Sequence, residues 1–231
     1  MHELSTASFF SLEGYPFPDL FKNCFYVWEA LGRLNEFLHL QKLGTIEVDI
    51  PSSVYLVNPE LISIGKGTII EPGAYIRGPC IIGENCEIRH GAYVRGYVVA
   101  GNGCVIGHDT EVKRSILLNH VCAGHFNYVG DSILGNGVNL GAGVKCANLR
   151  LDHDAVHIIF QGEKISTNLK KFGAVIGDEA QLGCNCVTNP GTLIGKKAFC
   201  HPCLNVNGYI PPHARVKSTQ KMIIAEQIHV T

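Results

Sequence analysis

A six-residue period runs through most of this chain and leaves few folds open to it. An aliphatic residue usually leads each hexad, at Ile64, Ile70, Ile76, Ile82, Ile88 and Val94, again at Leu134 and Leu140, and again at Ile176, Leu182, Thr188 and Ile194. Four places on stands a small residue: Thr68, Ala74, Cys80, Cys86, Ala92, Val98, Val138, Val144, Ala180, Cys186, Thr192 and Ala198. Cys200 and Val206 keep the phase, whereas Leu204 and Ile210 break the small-residue rule, as a terminal coil can. A period of six matches neither a helix at 3.6 nor a single strand at 2, so it describes short strands joined by regular corners. Three hexads make a triangular coil of about 18 residues that climbs by one strand spacing, ~4.8 Å, and stacks its aliphatic residues into ladders. A prism this narrow has no room for two large side chains at one level, where each misfit costs roughly 1–3 kcal/mol. Glycines, 26 in all, ease the corners by accepting positive φ. Residues 61–216 therefore read as one all-β, hexapeptide-repeat parallel β-helix, with the hexads lapsing over 147–173. That stretch is an insertion carrying Leu151-Asp152-His153-Asp154 and Lys170-Lys171, and long insertions in regular solenoids are often functional.

Residues 1–60 do not repeat. Leu20, Phe21, Cys24, Phe25, Trp28, Leu31, Leu34, Phe37 and Leu38 fall at roughly helical spacing, which predicts a helix from Asp19, as N-cap after Pro18, to about Leu40, with Gly44 beyond as a stop. Because an open β-coil exposes apolar side chains and strand edges, this short α-helical N-terminal extension is expected to cap the solenoid. The tail, 217–231, carries Met222, Ile223, Ile224 and Ile228, enough apolar character to pack on something such as a neighbouring subunit.

At 231 residues one main domain is expected. A net charge of −1 offers no basic field for nucleic acid. No apolar run approaches the roughly 18 residues of a membrane span, and the N-terminus shows no secretory pattern, so the chain is read as cytoplasmic with no membrane partner. The ten cysteines lie mostly inside apolar patterns and read as reduced thiols.

One stretch is far more specific than the hexads: Ala123-Gly124-His125-Phe126-Asn127-Tyr128-Val129-Gly130-Asp131, followed by Val138-Asn139-Leu140-Gly141-Ala142-Gly143. With Ile106-Gly107 and Glu111-Val112-Lys113 upstream, it resembles the acetyltransferase domain of the bifunctional N-acetylglucosamine-1-phosphate uridyltransferases, within the hexapeptide-repeat acyltransferases. The resemblance covers roughly residues 61–216 and implies a left-handed coil, although parallel crossovers are in general right-handed. It also implies a homotrimer with active sites between adjacent prisms, and acetyl transfer from acetyl-CoA to an amino-sugar phosphate such as glucosamine 1-phosphate, with no metal. Nothing in residues 1–60 resembles a nucleotide-binding segment, and nucleotidyl transfer is not expected.

The resemblance places the general base at His125, where an imidazole can take the proton leaving the amine; Glu111, if close to it, could orient the ring as carboxylates do in triads. It places Arg95 and Lys113 on the sugar phosphate, where charge-assisted bonds are strongest; one coil apart, they should share a wall. Tyr128, Asn139 and Lys171 hold the sugar, Asn148 positions the reacting groups, and the N–H of Ala142 faces the thioester oxygen as charge develops there. Cys184 and Pro202 stand at CoA-side positions where the family carries serine and alanine, and Leu149 stands where it usually carries tyrosine. Two other readings stay open. A zinc hydration enzyme of the γ-carbonic-anhydrase type uses this fold with histidines spaced like His120 and His125, and Glu84 stands where its third ligand is expected. Alternatively, the β-helix is a non-catalytic assembly or regulatory subunit. The pairs Cys184/Cys186 and Cys200/Cys203 suggest structural zinc less than packing, since Cys186 and Cys200 fall on inward positions.

Overall fold

The computed structural model describes residues 2–219, so the apolar tail residues Met222, Ile223, Ile224 and Ile228 lie outside the described residues. The hexads form a parallel β-solenoid of three walls, each an eight-stranded parallel sheet. The first wall runs from Tyr55–Val57 to Asn205–Val206, the second from Ile62–Ile64 to Tyr209–Ile210, and the third from Ile69–Ile70 to Arg215–Val216. Every strand pairs with the strand one coil away on the same wall, so like residues stack. The leading aliphatics and their small partners both point inward and are buried, from Ile64 and Thr68 to Ile194 and Ala198.

The phase missing from the hexads between Val98 and Leu134 has a structural cause. Tyr75 pairs with Tyr93 eighteen residues on, but Val112 pairs with Val129 and His108 with His125, seventeen residues on. The lost residue comes from the corner between the first and second walls, which turns through Arg114 and Asp131, both at positive φ (44° and 48°). Ile106, Val112, Leu117, Ala123 and Val129 continue the core across the slip. Stacking also begins before residue 61. Ile46 bridges to Ile64, and Ile46, Val48, Ile50, Val54 and Leu56 pack on the core, with an alternation too irregular to show in a six-residue search.

The helix expected over 19–40 is two shorter pieces. A 3-10 turn spans Pro18–Phe21 with Phe17 rather than Asp19 as its N-cap, and Asn23 at φ 60° breaks the path. The α-helix proper is Glu29–Leu40, burying Ala30, Leu31, Leu34 and Leu38 along one face. Gly44 lies past the helix end, at φ 97°, where the carbonyl of Glu60 presses against its bare Cα. The helical part of the extension lies beside the solenoid, while residues 46–56 stack on its first coil. The helical part lies along the flank of the second wall, because that wall alone is apolar outside as well as inside: Ile81, Val99, Ile116, Ile133, Val175 and Leu193 join Phe9, Phe21, Trp28 and Leu31 in a second core. The insertion leaves the first wall after Cys146, forms the antiparallel hairpin His157–Phe160 with Glu163–Ser166, and rejoins at Ala174–Ile176. Its Val156, Ile158 and Phe172 enter the same second core, with Phe172 6.3 Å from the Trp28 ring.

Candidate active site

The predicted site residues gather at two corners of the prism. At the corner between the third and first walls, the turn residues form a column linked by backbone bonds from coil to coil. Asp109 N–H donates to His90, Phe126 to His108, Gly143 to His125, Asn185 to Ala142 and Cys203 to Cys184, each at 2.8–3.3 Å. His125, Ala142, Cys184 and Pro202 are thus successive rungs, about 4.8 Å apart. His125 is exposed at the end of the strand Cys122–His125, its backbone N–H fixed by the Asn127 side chain at 3.2 Å. Within the described residues the N–H of Ala142 has no acceptor, leaving a half-buried donor one rung from the imidazole. Beside the upper rungs the third wall carries an open groove of about 400 Å³, lined by Asn139, Gly183, Phe199, His201, Pro202 and Arg215.

The second group sits at the corner between the first and second walls. Arg95 and Lys113 stack on the same side of the first wall, as their spacing predicts, since Val94 pairs with Val112. Arg95 donates to Glu111 at 2.6 Å, and this carboxylate holds its guanidinium pKa above the ordinary value. Lys113 donates to Asp131 at 2.9 Å, and Arg114 bonds the other oxygen of that carboxylate at 3.4 Å. Asn148 also donates its amide to Asp131, which is 1% exposed. Asp131 is thus the hub of the group, a role the sequence reading did not assign; the one-residue slip at its corner was the available signal. Tyr128 leans over Gly130, where a Cβ would lie 2.7 Å from the phenol oxygen and 2.8 Å from the Asn148 amide nitrogen. Burial, then the charges of Glu111 and Asp131, push the Tyr128 pKa up, so the phenol stays a donor. Lys171 is brought in by its backbone, bridging antiparallel to Leu149 while Phe172 N–H donates to Asn148 O at 2.9 Å. Arg114 reaches the carbonyl of Leu31 in the helix Glu29–Leu40 at 3.4 Å, tying the extension to this corner.

Two expectations are altered. Glu111 makes no hydrogen bond to His125 among the described residues: its carboxylate, directly above Tyr93 on the first wall, accepts from the Arg95 guanidinium instead. Nor do the two groups meet within one chain. The strand Tyr128–Gly130 of the first wall lies between them, with His125 and Ala142 towards one end and Lys113, Asn148 and Lys171 towards the other. Asn139 lies on the third wall, with Cys122 and Gln181 as its neighbours. For the zinc alternative, His120 turns the corner between the second and third walls at φ 59°, the opposite end of the third wall from His125, so His120, His125 and Glu84 do not converge in one chain. Cys186 and Cys200 are buried inward, while Cys184 and Cys203 are exposed.

Known proteins are similar in sequence to parts of this chain. The family model described as the GMPPB C-terminal domain matches residues 76–158. A bifunctional sugar-1-phosphate nucleotidylyltransferase/acetyltransferase of Sulfurisphaera tokodaii is 39% identical over 95 residues, 41% of this chain and 24% of that protein. The bifunctional protein GlmU of Methanococcus vannielii is 33% identical over 115 residues, 50% of this chain and 28% of that protein. The chain thus spans about a quarter of the length of these curated relatives. Among solved structures, the polySia specific acetyltransferase NeuO covers 78% of this chain and 92% of its own at 12% identity and a TM-score of 0.42, too distant to carry an argument. No helix among the described residues is long and apolar enough to cross a membrane. The chain carries a hexapeptide-repeat β-helix region homologous to the C-terminal acetyltransferase domain of GlmU and the bifunctional sugar-1-phosphate nucleotidylyltransferase/acetyltransferases.

Proposed function

We propose that this chain is an acetyl-CoA-dependent N-acetyltransferase acting on an amino-sugar phosphate, working as a homotrimer with His125 as general base. The observation that carries the reading is the corner column, in which an exposed imidazole stands one rung from an unbonded backbone donor and whose later rungs, at Gly183 and Pro202, border an open groove. That donor and groove fit an acyl thioester. Gly183, Pro202 and Phe199 would flank it, and Arg215 at the groove's edge would meet a phosphate. Acetyl-CoA, when bound, supplies an acyl group activated as a thioester.

The remaining chemistry belongs to the protein. Lys113 and Arg95 hold the sugar phosphate by charge-assisted bonds, and Tyr128, Asn139, Asn148 and Lys171 orient the sugar. The imidazole of His125 accepts the proton that the attacking amine must lose. The N–H of Ala142 donates to the oxygen on which negative charge develops, a preorganised donor needing no reorientation. Glu111 and Asp131 keep the cations in place until a phosphate arrives.

The test is thiol release from acetyl-CoA with glucosamine 1-phosphate as acceptor. Turnover is expected in the wild type and a drop of ~10²–10⁴-fold in His125→Ala, with the melting temperature unchanged because His125 is exposed. Near wild-type turnover in that variant removes His125 from the mechanism, and no release with any amino-sugar phosphate removes the reading.

A further inference from the structure

Below the candidate site the first wall continues through coils that the proposed chemistry does not use. Beneath Glu111 its mid-face residues are Tyr93, Tyr75 and Tyr55, paired in register one under another. Their rings form a continuous column of contacts. Tyr55 and Tyr75 lie 6.5 Å apart between centroids and nearly parallel, and Tyr75 meets Tyr93 edge-on at 5.1 Å. Tyr55 is 68% and Tyr93 38% exposed, so this aromatic ladder faces outward.

Alternation along a strand sends Ile76 and Val94 inward and leaves Arg77 and Arg95 in a second outward column beside the rings. The guanidinium of Arg95 lies 5.7 Å from the Tyr93 centroid but is already engaged by Glu111. Arg77, one coil lower, is exposed and has neither an ion pair nor a side-chain hydrogen bond among the described residues. A free guanidinium about 4.8 Å below the proposed phosphate grip, next to flat rings, is suited to a second phosphate and a stacked heterocycle. A monosaccharide phosphate engages none of it.

We infer that Tyr75, Tyr93 and Arg77 bind the nucleoside diphosphate part of the acceptor, so that the amino sugar is presented to His125 as a nucleoside-diphosphate-linked sugar. The sugar-side phosphate lies on Arg95 and Lys113, the second phosphate on Arg77, and the base on the tyrosine rings. The identity of the transferred group rests on the transferase reading; the nucleotide strip does not.

The experiment is calorimetric titration of the full chain with uridine, guanosine and thymidine diphosphates and with inorganic pyrophosphate. At least one nucleotide is expected to bind more tightly than pyrophosphate. Arg77→Ala should weaken both by about tenfold or more, Tyr75→Ala should weaken the nucleotide alone, and Tyr75→Phe should retain it. No nucleotide binding above that of pyrophosphate overturns the inference. So does a Tyr75→Ala variant that binds nucleotide as the wild type does, including one whose only change is in sedimentation, which would assign the strip to contact with a second copy. These titrations need no turnover, so the two readings fail separately: acetyl transfer without nucleotide binding sinks this one, and nucleotide binding without any acetyl transfer sinks the other.

Discussion

The two carboxylates at the cationic corner sit in different surroundings, and removing them has opposite consequences. Asp131 is buried and serves three donors at once, so its loss leaves Lys113, Arg114 and Asn148 without a common anchor. Breaking a buried pair costs about 3–5 kcal/mol; because both cations are partly exposed, about 2–3 kcal/mol is expected for Asp131→Ala. Denaturant melts check this, and the acceptor KM should rise about tenfold as the ammonium loses its place. Glu111 is part exposed, and its pair with Arg95 is worth ~1 kcal/mol at most. Because it competes with an incoming phosphate, Glu111→Gln should lower the acceptor KM and leave kcat near the wild-type value. A fall in kcat in that variant would instead return Glu111 to the role of orienting His125. The sequence contained every residue of this corner, but which acid faces which base depends on corner geometry. Glu111 lies fourteen positions from His125 and sixteen from Arg95, and separation alone does not choose between them.

Among the elements, the inward ladders were legible because a narrow prism imposes one rule at every rung, large residue then small. From Val112 to Leu134 that rule is hidden because two corners are one residue short. Glycines at the His125 corner follow the same steric logic. A Cβ on Gly107 would drive into the carbonyl of Gly124, whereas a Cβ on Gly124 would meet only the Cys122 sulfur at an ordinary 3.6 Å. Gly107→Ala should therefore destabilise by about 3 kcal/mol while Gly124→Ala stays within about 1 kcal/mol, a contrast that thermal melts resolve. The small inward positions also include thiols: burial pushes Cys80 from 9.0 to about 12 and Cys146 to about 11. Because these pKa values are raised on folding, the unfolded chain loses the protons first, and the stability is intact below pH 9 and falls as pH climbs towards 11–12. Each thiol contributes a slope of about 1.4 kcal/mol per pH unit in that window. Cys80→Ala and Cys146→Ala should each flatten the alkaline limb of the melting-temperature profile, at the cost of some stability at neutral pH.

At the scale of the whole molecule, the outer surfaces of the walls divide the work. The second wall is sealed by the chain's own extension and hairpin, an arrangement foreshadowed by doubled apolar pairs such as Ile81-Ile82, Val98-Val99, Ile116-Leu117 and Leu193-Ile194. A period search rewards the inward member of each pair and ignores the outward one, which is why the extension reads from sequence as an end cap. With that flank closed, no other described residues cover the first and third walls and the corner between them, which carry the imidazole and the groove; the cationic group stands at the far edge of the first wall. Those groups stand at opposite ends of the first wall on one prism. On the proposed homotrimer reading, the imidazole corner of one copy is set against the cationic corner of another, as in a closed ring with heterologous contacts. Co-expression of His125→Ala with Lys113→Ala, each inactive alone, tests this. A mixed ring re-forms an intact site wherever a copy with native His125 faces one with native Lys113, so about a quarter of wild-type activity is expected at equal expression. Mixing after folding should restore activity only as fast as subunits exchange. If every site were confined to one prism, no mixture of the two variants would regain turnover, because no single chain would hold both groups.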